Sequence, residues 1–74
     1  MATSQATLQV TLGRRCRGLR RARGLSQLDI VRNFDFSLSH YQKIERGDLD
    51  ARLSTLAKLA HCFGVTIAVL LEGV

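Results

Sequence analysis

Apolar residues in this chain recur at helical spacing rather than in alternation. Leu8, Leu12, Cys16 and Leu19 fall at intervals of four, four and three, which lines one face of a helix from about Thr7 to Arg23. Gly24 is placed to stop it, as glycine does just beyond a helix end. A second reading takes Leu8, Val10 and Leu12 as a short alternating strand; the helix is preferred. Ser26 is positioned to cap a second helix, about Gln27 to Phe34, with Asp29 three residues on to complete a box-like arrangement. Ser37 caps a third, running through Tyr41 and Ile44 to about Arg46, where Gly47 ends it. After the charged connector Asp48 to Arg52, the residues Leu53, Leu56, Leu59, Ala60 and Phe63 form a wide apolar stripe on a fourth helix that Gly64 terminates. Val65 or Thr66 then opens a short last helix, Ile67 to Glu72, apolar on nearly every side. Residues 1–6 are small and polar, with little to bury, and are expected to form a flexible arm ahead of a domain spanning 7–74.

The chain has 74 residues, which supports one core and not two. With no strand pattern of any length, the expected fold class is all-α. Eleven Lys and Arg against six Asp and Glu leave a formal charge of +5, which favours a polyanionic partner, although solubility alone would also account for it. Cys16 and Cys62 stand apart without a CxxC pair and are too few for a disulfide framework, so they read as buried thiols in a reducing cytosol. His61 beside Cys62 does not make a metal site, because adjacent helical residues point about 100° apart and no further ligands accompany them. No metal and no cofactor is expected. No run approaches the roughly 20 apolar residues that cross a bilayer, and the first residues lack signal-peptide character. The expected location is cytoplasmic.

Gln27 to Arg46 has the dimensions of a helix-turn-helix. Ile30, Phe34, Tyr41 and Ile44 can face inward and lock two short helices together, leaving the start of the second free to enter a major groove. Its exposed positions are then Leu38, Ser39, His40, Gln42 and Lys43. Further motifs surround the window: Leu12-Gly13-Arg14-Arg15, the run Arg20 to Gln27 (RRARGLSQ), Ile44-Glu45-Arg46-Gly47 (IERG) and Leu53 to Val65 (LSTLAKLAHCFGV). In order and spacing these resemble the phage repressor and Cro-like family, the XRE family, over roughly residues 8–72. The resemblance implies a compact five-helix, lambda-repressor-like domain with the recognition helix at about 37–46. It also implies a sequence-specific regulator of transcription, a repressor, that binds double-stranded DNA as a homodimer.

Residue by residue, the resemblance places Leu38, Ser39 and Lys43 at the main base-contacting positions and Gln27 at a phosphate-gripping helix start. It pairs Arg20 with Glu45 as a structural ion pair. The chemistry fits: Lys43 can donate to guanine O6 or N7, Ser39 can bond to bases or phosphate, and Leu38 can press on a thymine methyl. Gln42 can bond adenine at the edge of the groove, but taken alone it is better explained as an ordinary helix-surface residue; His40 could make binding pH-sensitive, but is better explained as an exposed neighbour of the phosphate backbone. Arg46, Arg52 and the first-helix arginines other than Arg20 are phosphate candidates, with a solvated basic face as the plain alternative.

Three positions depart from the family pattern. Asp35 stands where the turn usually carries Gly, and is expected to tolerate a left-handed conformation. Val31 replaces a preferred Ala, and Phe36 is larger than the usual residue after the turn.

Ile67, Val69, Leu70, Leu71 and Val74 offer more apolar surface than a small domain hides, so the last helix is the expected dimer interface, some of it closing the core. With no sensing domain, regulation would come from concentration, modification or a regulatory protein partner. The competing reading is a protein-binding adaptor or antitoxin-like partner on the same fold. Membrane binding through the first helix would need Leu12, Cys16 and Leu19 free for lipid, where the core needs them. No nucleophile-base pairing points to an enzyme.

Overall fold

The computed structural model describes residues 4–72. Among these described residues five helices follow one another: α1 (Gln5–Ala22), α2 (Gln27–Asn33), α3 (Leu38–Arg46), α4 (Leu53–Phe63) and α5 (Ile67–Leu70). No strand occurs among the described residues, and Leu8, Val10 and Leu12 lie within α1.

Side-chain caps set most of the starts. Ser26 accepts from the Asp29 amide at 3.0 Å while the Asp29 carboxylate accepts from the Ser26 amide at 2.7 Å, closing the anticipated capping box. Ser37 accepts from the His40 amide at 3.1 Å to open α3, and Thr66 caps α5 in the same way at 3.1 Å. Ser4 does likewise for α1, accepting from the Thr7 amide at 3.1 Å. That cap starts α1 two residues earlier than the apolar periodicity indicated, so Gln5 and Ala6 are helical rather than part of an arm; residues 1–3 and Val74 lie outside the described residues. At the other end α5 closes early. Glu72 donates to Val69 O, three residues back, so the last turn tightens beyond Leu70 instead of continuing to Glu72.

The core gathers one face of each helix. Cys16, Ile30, Tyr41, Leu59, Phe63 and Leu70 have essentially no exposed surface. Close approach of α1 to α3 rests on Gly13, where a Cβ would lie 2.5 Å from Glu45 O and 2.6 Å from Ile44 O. Gly47, at φ 78°, ends α3 in the left-handed conformation and lets the backbone of Val10 come within 2.8 Å of where a Cβ would stand. Both glycines therefore hold the third helix against the first.

Two expectations need correction. Leu53, assigned to the apolar stripe of α4, is 74% exposed; it sits at the first turn, beyond the reach of the core. Asp35 does not take a left-handed conformation, since no described non-glycine residue has positive φ. Instead Phe36 donates to Phe34 O at 2.8 Å, spanning a three-residue turn at negative φ. That geometry removes the need for glycine. Lys58 of α4 supports the turn by donating to Asp35 O at 2.7 Å, with its ammonium 4.7 Å from the Phe36 ring centre. Phe36 itself is buried and meets the Tyr41 ring edge-on at 5.8 Å, so its extra volume is absorbed by the core.

Candidate nucleic-acid interface

The presentation of α3 starts from a buried ion pair. Arg20 Nε donates to Glu45 Oε2 at 2.7 Å and Nη2 to Oε1 at 3.1 Å, with the two side chains only 11% and 5% exposed. A two-pronged guanidinium–carboxylate contact fixes angle as well as distance. The third prong of Arg20, Nη1, donates to Leu25 O at 2.9 Å, tying the pair to the loop before α2. Burial works against the charge on Glu45, yet the hydrogen bonds from Arg20 and its neighbours outweigh it and hold the carboxyl below its usual range. Tyr41 is buried against this pair; its hydroxyl finds no aligned hydrogen-bond partner among the described residues, and burial followed by the nearby carboxylate pushes the phenol up.

From this anchor an amide relay runs outward. Gln27 Nε2 donates to Glu45 Oε1 at 3.2 Å, and Gln42 Nε2 donates to Gln27 Oε1 at 3.3 Å. Because a carboxylate only accepts, Glu45 dictates which end of the Gln27 amide faces it. Gln27, placed by the resemblance at a phosphate-gripping helix start, is thus already engaged, with one amide proton left over. Gln42 is half-buried and faces the relay, more than an ordinary surface glutamine.

The outer side of α3 is different. Leu38, Ser39, Lys43 and Arg46 are exposed. Arg46 meets Asp48 at 3.3 Å, with both side chains more than 60% exposed, a contact too hydrated to hold the guanidinium away from a phosphate. His40 is half-buried with its ring 5.6 Å from that of Phe36, and packs on the turn as much as it faces outward.

The arginines of α1 divide by role. Arg15 donates to Val69 O at 3.2 Å and bridges α1 to α5. Arg23 donates to Leu19 O at 3.2 Å and lies 5.9 Å from the Phe63 ring centre. Both are committed to the fold. Arg17 instead lines an open concavity with Gln27, Leu28, Leu38 and Gln42. Arg17 was only one of several first-helix candidates in the sequence, and Leu28 was missed. Its signal was available: an apolar residue at the second position of a capped helix, off the stripe set by Ile30.

On α5 the expected interface residues separate. Leu70 is fully buried and belongs to the core, which corrects its assignment. Val69 is 37% exposed, Ile67 and Leu71 are half-buried, and Val74 is outside the described residues. Leu71 lines an apolar groove with Leu8, Leu12, Ala51 and Leu56, so the unpartnered apolar surface extends from α5 onto the starts of α1 and α4.

Both cysteines are buried, and burial pushes the Cys16 thiol up to about 12 and that of Cys62 up to about 11. They are protonated and inert at neutral pH. Among the described residues no three His, Cys, Asp or Glu cluster as metal ligands, and no helix is long and apolar enough to cross a membrane.

The arrangement of two short helices locked at α3 has counterparts among known proteins. A family model described as a helix-turn-helix domain matches residues 11–72. The chain belongs to this family, in its phage repressor and Cro-like branch. It is 42% identical over 60 residues to the HTH-type transcriptional regulator DdrOP3 of Deinococcus deserti, covering 81% of this chain and 46% of that protein. It therefore spans about half the length of that relative. Among solved structures, the restriction-modification controller protein C.AhdI of Aeromonas hydrophila superposes with a TM-score of 0.78 at 32% identity, covering 84% of this chain and 94% of that one. The hypothetical transcription factor NHTF from Neisseria superposes with a TM-score of 0.81 at 25% identity, covering 96% and 82% respectively. By their names the first is a transcriptional regulator, the second a controller protein and the third a hypothetical transcription factor.

Proposed function

We propose that this chain is a sequence-specific, double-stranded-DNA-binding regulator of transcription that acts as a homodimeric repressor, with α3 in the major groove. The observation that carries the reading is the division of α3 into an inner side held by the Arg20 and Glu45 pair and an outer side left to Leu38, Ser39, Lys43 and Arg46. A helix fixed to its scaffold while exposing donors along its first turns suits base readout. The net charge of +5 adds sequence-independent attraction. Lys43 donates to guanine, Ser39 to a base or phosphate, and Gln27, itself oriented by Glu45, holds the Gln42 amide at the edge of the groove. His40 stands beside the backbone, and Arg46 and Arg17 neutralise phosphate. Gln27 uses its remaining amide proton on phosphate as well.

Homodimerisation is supported by Val69, Ile67 and Leu71 with the adjoining groove, since pairing two small readers multiplies contacts and sets half-site spacing. Repression follows from occupancy, since a protein bound across a promoter excludes others from it.

Selection of sites from a random duplex pool tests the reading. An enriched palindrome whose affinity drops with Lys43→Ala at one position per half-site is expected. Binding that is weak, purely salt-controlled and without an enriched site would instead favour a protein-binding adaptor.

A further inference from the structure

Leu28 and Leu38 are an apolar pair where the rest of the face is polar and cationic. Leu28 is the second residue of α2 and Leu38 the first of α3, they are 47% and 37% exposed, and they line one concavity with Arg17, Gln27 and Gln42. Neither belongs to the buried core, to which their helices contribute Ile30 from α2 and Tyr41 and Ile44 from α3. Two exposed leucines set among amides and a guanidinium gain only if the bound partner brings an apolar group to the same place. On the major-groove edge of a duplex the apolar group available is the methyl on C5 of a pyrimidine. Arg17 beside the pair, with Lys43 and Arg46 along the same helix face, gives the charge complementarity that selects DNA over an apolar protein surface as the occupant.

We propose that Leu28 and Leu38 together form a reader for a pyrimidine C5-methyl group, so that binding depends on thymine at that position and accepts 5-methylcytosine in its place. This rests on the DNA-reading function proposed above. The methyl group is common to both bases, so cytosine methylation at the same step would raise affinity where unmodified cytosine is disfavoured. Leu28 is then a specificity residue contributed by the supporting helix, and not by the recognition helix alone.

The test uses the full chain and an enriched duplex carrying thymine at the contacted step, with that pyrimidine replaced in turn by uracil, cytosine and 5-methylcytosine, each correctly paired. Uracil should bind about fourfold more weakly than thymine for each methyl lost, and 5-methylcytosine should recover a similar factor over cytosine. Leu38→Ala should bring both ratios towards unity, and Leu28→Ala should lower them. Thermal unfolding of each variant confirms that these exposed positions leave the fold intact. Thymine and uracil binding alike at every position of the site would overturn the proposal, as would methyl ratios unchanged in both leucine variants. In either case an enriched site still supports DNA reading. Failure to enrich any site removes that reading and the methyl reader with it, so the two failures are told apart.

Discussion

The two sides of α3 carry opposite demands within nine residues. Inward, Tyr41, Ile44 and Glu45 are fixed by packing, by the backbone approach at Gly13 and by a two-pronged ion pair. Outward, Leu38, Ser39, Lys43 and Arg46 are exposed. The inner side determines where the helix stands, and the outer side is free to determine what it reads. Substitutions on the first should therefore be felt in stability, and those on the second in binding.

The largest effect is expected from Glu45→Ala. Leaving Arg20 buried without its carboxylate should cost about 3 to 5 kcal/mol, read as a fall in the urea midpoint, and DNA binding should be lost with the fold. Gly13→Ala comes next. The added methyl meets two carbonyl oxygens of α3, and the overpacking should cost about 1 to 3 kcal/mol by the same measurement. On the outer side, Lys43→Ala should reduce affinity by about 1 to 3 kcal/mol at one position of a half-site. Its unfolding midpoint should stay near that of the parent chain, which separates the two sides of the helix directly. Arg46→Ala should weaken all duplexes alike and lower the salt slope by about one.

Acid offers a subtler test. Glu45 has its carboxyl pKa lowered by folding. Its contribution is fully present above the unfolded carboxylate value and is lost as pH falls through the lowered folded value. Asp29, lowered by its cap to Ser26, acts in the same direction. Stability should accordingly decline on acidification below the ordinary carboxylate range. The acid-dependent part should shrink in Glu45→Gln, whose side chain no longer titrates. A variant with the full parental slope would remove Glu45 from the account.

Much of this was legible in the sequence because it is local. Ser26 with Asp29, Ser37, Thr66 and the glycines at 24, 47 and 64 mark helix ends through bonds only three to five residues long. The Arg20 and Glu45 pair was legible only by resemblance, as nothing in spacing alone brings those residues together. What escaped depends on contacts across the chain. Lys58 reaches the Asp35 carbonyl from 23 positions away and supports a turn whose negative φ needs no glycine. Leu53 continues the helical stripe in sequence, yet the stripe outruns the core. Leu70 and Val69 are neighbours in an apolar run, and only packing decides that one is buried and the other exposed. The engagement of Gln27 by Glu45 likewise required two helices to meet.

Whether the outer side of α3 is the DNA-reading surface can be followed through backbone amide chemical shifts while an enriched duplex is titrated into the isotope-labelled chain. The largest changes are expected over residues 38–46, with a second group around Arg17, Gln27 and Leu28, while direct DNA contacts leave α4 unmarked. Changes concentrated instead along Leu53, Leu56 and Leu71, with α3 unaffected, would contradict it.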